Sequence, residues 1–238
     1  MVKCYVKDYP RTQFVRKNWE NLNGTWDFAF DDKNCGEKER WYEGFKGNLT
    51  IQVPFTYETK MSGIRDEGRH DNIWYRRQIQ VDAGKLEKNN YVIHFEGSDF
   101  VTKVWVNGQY AGSHRGGYAR FDFDISTLLK VEDSFDMQQP RGKQRWIDKN
   151  FGCWYVQTTG IWKTVWSEYV PKVSLKAVKM TPNMEEHALE LEYEVDAPEN
   201  LMGEELLVSA AVSFKGVPVS RVITAVTSGH VEARADVF

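Results

Sequence analysis

Apolar and polar positions alternate along most of this chain with a period of two, so strands and not helices are predicted to carry the fold. In Thr25 to Phe30, Trp26, Phe28 and Phe30 share one face while Asp27 lies opposite. In Arg120 to Ile125, Phe121, Phe123 and Ile125 point one way, and Arg120, Asp122 and Asp124 the other. A half-buried antiparallel strand requires this alternation. Ile73 to Val81 reads as a further strand with Ile73, Tyr75, Ile79 and Val81 on its apolar face; Tyr91 to Glu96 and Ile161 to Val170 complete the obvious set. Lys103 to Gly112 predicts a hairpin, because Asn107-Gly108 supplies the positive φ angles of a type I′ turn. The helical candidates are short, a turn around Ser126 to Lys130 and nothing with a sustained 3.6-residue period. No solenoid repeat and no low-complexity tract interrupts the pattern.

Near Val170-Pro171-Lys172 a Trp-rich, irregular sequence gives way to cleaner alternation. Ala188 to Val195 sets Leu189, Leu191, Tyr193 and Val195 against Glu190, Glu192 and Glu194, and Glu205 to Lys215 continues in the same style. The pattern predicts an all-β chain of two units, a sandwich over residues 1–170 and a second, immunoglobulin-like sandwich over 171–238. An immunoglobulin-type domain uses roughly 100 residues. The second unit is therefore expected to lack its last strands and to expose apolar edge.

Charge narrows the class of partner. Across 238 residues, Lys and Arg number 31 against 34 Asp and Glu, a formal net charge of -3 with no long run of one sign. Nothing there draws a nucleic acid or an anionic membrane, and the partner should be uncharged or weakly charged. The aromatic share is 14%, and many of these residues stand in polar surroundings, a weak sign of carbohydrate. Cys4, Cys35 and Cys153 lack the paired spacing of zinc or redox sites, so a reducing compartment is expected. Charge and proline occupy the N-terminus where a secretory core would stand, and no apolar run approaches the roughly 20 residues of a bilayer span. The expected location is the cytoplasm.

Glycoside hydrolysis needs two carboxylates facing one bond. Adjacent acids occur at Asp31-Asp32, Asp66-Glu67, Glu132-Asp133, Glu185-Glu186 and Glu204-Glu205, but neighbours on a strand point to opposite faces. They read as solvated turns and strand ends, and no catalytic residue is assigned. His70, His94, His114, His187 and His230 show no metal-ligand spacing, so no metal is predicted. Ser113-His114 and Gly116-Gly117 lack any nucleophile or phosphate-binding motif around them and are assigned to a turn; no cofactor is expected.

The dense stretch is Asp133 to Trp166. It combines a Pro-Arg-Gly turn with hydroxyl binders Arg141, Lys143 and Gln144 and with aromatic Trp146, Trp154, Tyr155 and Trp162. Planar rings cover the C–H face of a pyranose while fork-shaped or amide groups fix its hydroxyls. The candidate carbohydrate-binding residues are Arg141, Lys143, Gln144, Trp146, Trp154 and Tyr155. The alternative is a Trp-rich loop that packs under the sandwich or against a neighbouring domain.

The segments YPRTQFVRKNWENLNGTWDFAFDD, IQVPFTYETKMSGI, NIWYRRQIQV, VWVNGQYAGSHRGGYARFDFDIS, PRGKQRW and GCWYVQTTGIWKTVWSEYV occur in that order over residues 9–170. Together they closely resemble the N-terminal sugar-binding domain of family 2 glycoside hydrolases, which include β-galactosidases, β-glucuronidases and β-mannosidases. The remainder resembles the family's immunoglobulin-like linking domain. The resemblance implies a jelly-roll sandwich, a second sandwich, and a partner TIM barrel of the same parent protein that carries both catalytic glutamates and acts on a β-linked glycoside or oligosaccharide. The chain itself is then non-catalytic. In β-galactosidases and β-glucuronidases an aspartate enters the sugar pocket just before the Gly-Ile-aromatic strand. Alignment on Gly160-Ile161-Trp162 puts Trp154 near that position, with Tyr155 beside it, which implies ring stacking or barrel packing there. Family members also place another alternating strand where Lys130 runs directly into Val131, and a jelly roll short of a strand would expose its neighbours' ladder groups. A free-standing carbohydrate-binding module and a purely structural unit mediating homo-oligomer contacts are the competing readings.

Overall fold

The structure, a computed structural model, describes residues 10–11, 14–45, 47–129, 133–138 and 158–237, with the backbone alone for 133–138, 204 and 205. The chain divides into two compact units, Met1–Tyr169 and Val170–Phe238.

The first unit runs through β1 (Trp19–Asn21), β2 (Gly24–Phe30), β3 (Leu49–Val53), β4 (Ile73–Ile79), the one-turn helix α1 (Ala83–Leu86) and β5 (Asn89–Phe95). It continues through β6 (Ser98–Asp99), β7 (Val101–Val106), β8 (Gln109–Arg115), β9 (Phe121–Asp124), β10 (Asp133–Gln138), β11 (Gly160–Ile161) and β12 (Val165–Pro171). Two main sheets result, one ordered β1-β12-β5-β9 and one ordered β3-β2-β4-β10-β7-β8, with β11 and β6 as a small third ladder. The alternating residues meet between the main sheets. Trp26 and Phe28 of β2, Ile51 of β3, Ile73 and Tyr75 of β4 and Val104 of β7 are buried together with Tyr91, Ile93 and Phe95 of β5, Ile161 and Val165. Burial of such side chains, each worth about 1.5–3 kcal/mol, drives the two layers together. The chain is an all-β sandwich, as the alternation predicts.

The predicted hairpin is β7–β8, and its turn has φ of 52° at Asn107 and 79° at Gly108. Both angles suit a type I′ turn, whose twist matches that of the flanking strands. Ile161 to Val170 is not one strand. Trp162 and Lys163 both donate backbone N–H groups to the Gly97 carbonyl, so the chain wraps that residue between β11 and β12. β4 also departs from strict alternation, since Trp74, fully buried, faces away from Ile73 and Tyr75. A loop over residues 31–45 covers that outer face, and burial on both sides removes the need for a polar position. β10 lies between β4 and β7 and pairs antiparallel with both. The Lys130–Val131 junction lies outside the described residues.

The second unit contains β13 (Ser174–Asn183), β14 (Ala188–Asp196), β15 (Gly203–Phe214), β16 (Val217–Val226) and β17 (His230–Asp236). One sheet is ordered β13-β14-β17 and β15–β16 forms a hairpin. Leu191, Tyr193, Val195, Val226, Val231 and Ala235 form its core, packed by Leu206, Val208, Ala210 and Val212 on the inward face of β15. Leu207, Phe214, Val217, Val219 and Ile223 of the same hairpin are exposed.

Candidate functional site

Arg141, Lys143, Gln144, Trp146, Trp154 and Tyr155 all lie outside the described residues. The described chain resumes at Thr158 and Thr159, and then Gly160 and Ile161 of β11 pair with Asp99 and Ser98 of β6.

A polar cluster lies at that point. Glu58, five residues beyond the end of β3, is only 7% exposed, and neither of its carboxyl oxygens has a hydrogen-bond partner. Thr56 Oγ1, Tyr75 Oη and Thr159 Oγ1 are likewise buried without a partner. These groups lie together. The Thr56 and Thr159 hydroxyls and the backbone N–H groups of Glu58 and Thr159 act on the Glu58 carboxyl, and Glu58 acts on the Tyr75 hydroxyl. Gly160 stands against Tyr75 Oη, with no space for a side chain between them.

Burial pushes the Glu58 carboxyl above its ordinary 4.5, and the neighbouring hydroxyls and amides offset part of the rise. Burial pushes Tyr75 up as well; the Ile161 backbone N–H opposes this and the Glu58 charge adds to it. Each buried polar group left unpaired costs about 1–3 kcal/mol, so several in one place are ready to take hydroxyl donors and acceptors from a bound molecule or water. Among the described residues, no second carboxylate contributes to the Glu58 shift. The buried hydroxyls and carboxyl of the cluster suit holding hydroxyl groups.

Adjacent acids proved a poor guide to this site, because Glu58 has no acidic neighbour in the sequence. Its signal, if any, was an acid set among Thr56, Tyr57 and Thr59 immediately after an apolar strand. Asp31, in a pair of adjacent acids that the sequence alone assigns to a solvated turn, is only 2% exposed. It accepts from the Cys35 and Gly36 backbone N–H groups at 2.8 and 2.9 Å and from Trp74 Nε1 at 3.1 Å, which converts a surface acid into the clasp of the loop over β4.

Two other groups of polar side chains are ordered. In one, Glu168 Oε1 accepts from Arg16 Nη1 at 2.7 Å and lies 3.1 Å from His94 Nε2, while His94 stacks on Trp166 at 3.9 Å. In the other, on the outer face of the six-stranded sheet, Glu37, Tyr42, Lys103, Trp105, Gly108 and Tyr110 line an open cavity of about 440 Å³. Among the described residues no group of three or more His, Cys, Asp or Glu is placed to hold a metal ion. No helix there is long and apolar enough to cross a membrane.

Residues 19–138 match the family model described as "Glycosyl hydrolases family 2, sugar binding domain". The chain belongs to glycosyl hydrolase family 2. Among family 2 relatives, a β-galactosidase of Thermoanaerobacter pseudethanolicus is 27% identical over 214 residues, which cover 86% of this chain and 26% of that protein. A β-glucuronidase of Chlorocebus aethiops is 28% identical over 132 residues, covering 52% of this chain and 20% of the other. A β-glucuronidase from Ruminococcus gnavus, solved in complex with uronic deoxynojirimycin, superposes with a TM-score of 0.70 at 18% identity over 94% of this chain and 40% of that one. The chain spans about a quarter of the length of the curated relatives it matches. The family expected from the sequence segments is thus the family found.

Proposed function

We propose that this chain is the non-catalytic, carbohydrate-holding N-terminal part of a retaining β-glycosidase, with the Glu58 end of the first sandwich forming one wall of the sugar pocket. The observation that carries the reading is the buried polar cluster of Thr56, Glu58, Tyr75 and Thr159. Chain connectivity ties the aromatic segment to it. Tyr155 and Trp154 precede Thr159 by four and five residues. Trp146, Trp154 and Tyr155 for ring faces, and Arg141, Lys143 and Gln144 for hydroxyl donors, remain the proposed sugar-binding residues of that segment.

On this reading the bond-breaking glutamates belong to a TIM barrel elsewhere in the parent protein, and the substrate is a β-linked galactoside or glucuronide. Matching relatives that bear the names β-galactosidase and β-glucuronidase support the two sugar classes. The second unit is read as an immunoglobulin-like sandwich, and its two sheets, β13-β14-β17 and β15–β16, fit that account. The cytoplasm is the proposed compartment, on the strength of three cysteines without paired spacing.

The test is turnover of 4-nitrophenyl β-galactoside and β-glucuronide. The 238-residue chain should show none. In the parent enzyme, Trp154→Ala should lower kcat/KM by roughly ten-fold with assembly unchanged, the loss of one aromatic contact. Turnover by the chain alone overturns the reading, and so does a Trp154→Ala enzyme that is fully active.

A further inference from the structure

We propose a second saccharide site on the outer face of the six-stranded sheet, at the cavity between Tyr42, Trp105 and Tyr110, that takes an uncharged pyranoside. The side chains at this face are held in advance of any ligand. Trp105 stacks on Trp74 at 5.4 Å, and Tyr42 stacks on Trp105 at 5.5 Å with only 9° between the ring planes. Tyr110 meets Trp105 edge-on at 5.6 Å. Trp74 is fixed in turn by its hydrogen bond to Asp31. The inner rings are buried, but Tyr110 is 55% exposed and Tyr42 is half-buried, so the stack ends in ring surface that faces water.

An exposed tyrosine alone signifies nothing. Here the exposed ring surface is bordered by hydrogen-bonding groups, because Lys103 Nζ and the Glu37 carboxylate form an ion pair at the rim. Lys103 and Trp105 are two apart on β7 and therefore project to the same face. Gly108, at φ +79° in the type I′ turn, adds no side chain to the floor; a Cβ there would meet Glu43 Cγ at 3.3 Å. The cavity of about 440 Å³ is of the size that small ligands occupy.

Ring faces beside fixed donors and acceptors match a pyranose, which has an apolar C–H face and hydroxyl edges. The Glu37–Lys103 pair neutralises itself, and a uronate would have to displace Glu37 to reach Lys103. The site therefore favours a neutral sugar over an acidic one. Trp74 and Tyr75 point to opposite faces of β4, so this site shares no side chain with the Glu58 cluster. All six lining residues fall within 19–138, the stretch that the family's sugar-binding description covers.

The experiment is a ¹H–¹⁵N chemical-shift titration of the whole chain with methyl β-galactopyranoside, methyl β-glucopyranoside and glucuronic acid, read at the Gly108 amide and the Trp105 indole. A neutral pyranoside should shift both, with half-saturation on the order of 1–10 mM, because one shallow, unenclosed face binds weakly. Glucuronic acid should bind more weakly still. Tyr110→Ala should weaken binding by about ten-fold, while Tyr110→Phe retains it; Tyr110 sits on the surface, and the unshifted core spectrum verifies folding. Glu58→Gln should leave the titration unchanged. No shift at Gly108 and Trp105 at about ten times the expected half-saturation overturns the proposal. Binding that survives Tyr110→Ala, or a preference for glucuronic acid, also overturns it.

Discussion

Gly160 lies against the Tyr75 hydroxyl so closely that a Cβ on Gly160 would stand 2.1 Å from Tyr75 Oη, and Gly160 has a φ of +93°. The left-handed backbone disfavours any side chain by about 1–2 kcal/mol, and overfilling a packed core adds about 1–3. Gly160→Ala should therefore destabilise the first unit by about 2–5 kcal/mol in urea unfolding. Tyr75→Phe should restore part of that loss, because it removes the atom in collision. Alone, Tyr75→Phe should change stability by no more than about 1.5 kcal/mol, the loss of one contact with the Ile161 backbone N–H. A neutral Gly160→Ala would mean that the two residues are not in contact.

Glu58 makes stability depend on pH in a definite sense. The unfolded chain releases this proton near 4.5 and the folded chain only at higher pH, so folding takes up a proton between those values. The contribution is full below 4.5 and is lost as pH rises to the folded value. Glu58→Gln removes the effect. The variant should be at least as stable as the parent at neutral pH, and the gap should close in acid, as urea midpoints across this range will show. A variant weaker at neutrality than in acid would mean that Glu58 is ionised and partnered.

The Arg16–Glu168 pair ties the N-terminal segment to β12. Glu168 has no exposed side-chain surface, Arg16 donates to it at 2.7 Å, and Arg11 stands 3.9 Å away. Arg16→Ala should cost about 3 kcal/mol, the low end for breaking a buried pair, because His94 and Arg11 remain beside the carboxylate. Thermal unfolding at low and high salt measures this, and a loss near zero would show that the segment is not seated there.

Asp31→Ala should loosen the loop over the outer face. It strips three hydrogen bonds, two to backbone amides and one to Trp74, each worth about 0.5–1.5 kcal/mol, and more where the acceptor is charged. Acrylamide should then quench tryptophan fluorescence more strongly, and saccharide shifts at Gly108 should fade. Unchanged quenching would place the hold on Trp74 elsewhere.

Much of the framework was legible because one rule governs it. Side chains alternate across a strand, so Trp26 and Phe28, Phe121, or Leu191 and Tyr193 reveal their buried face directly. Asn107-Gly108 announced its turn because few residues tolerate two successive positive φ angles. The rule misled where an outer face was also covered, as at Trp74, and where the chain wrapped one carbonyl, as at Trp162 and Lys163. The candidate site was harder to see. Glu58 and Thr159 are far apart in sequence and carry no local signature, and nothing about Asp31 foretold its clasp.

The amino-acid order by itself determined the β class, the hairpin turn, the change of character near residue 170 and the family. These follow from local periodicity and contiguous segments. Only the tertiary structure decided which polar groups lose their water together. Burial of Glu58 beside Thr56, Tyr75 and Thr159, and the stacking of Tyr42 on Trp105, come from packing strands and loops distant in sequence, and desolvation is a property of that packing.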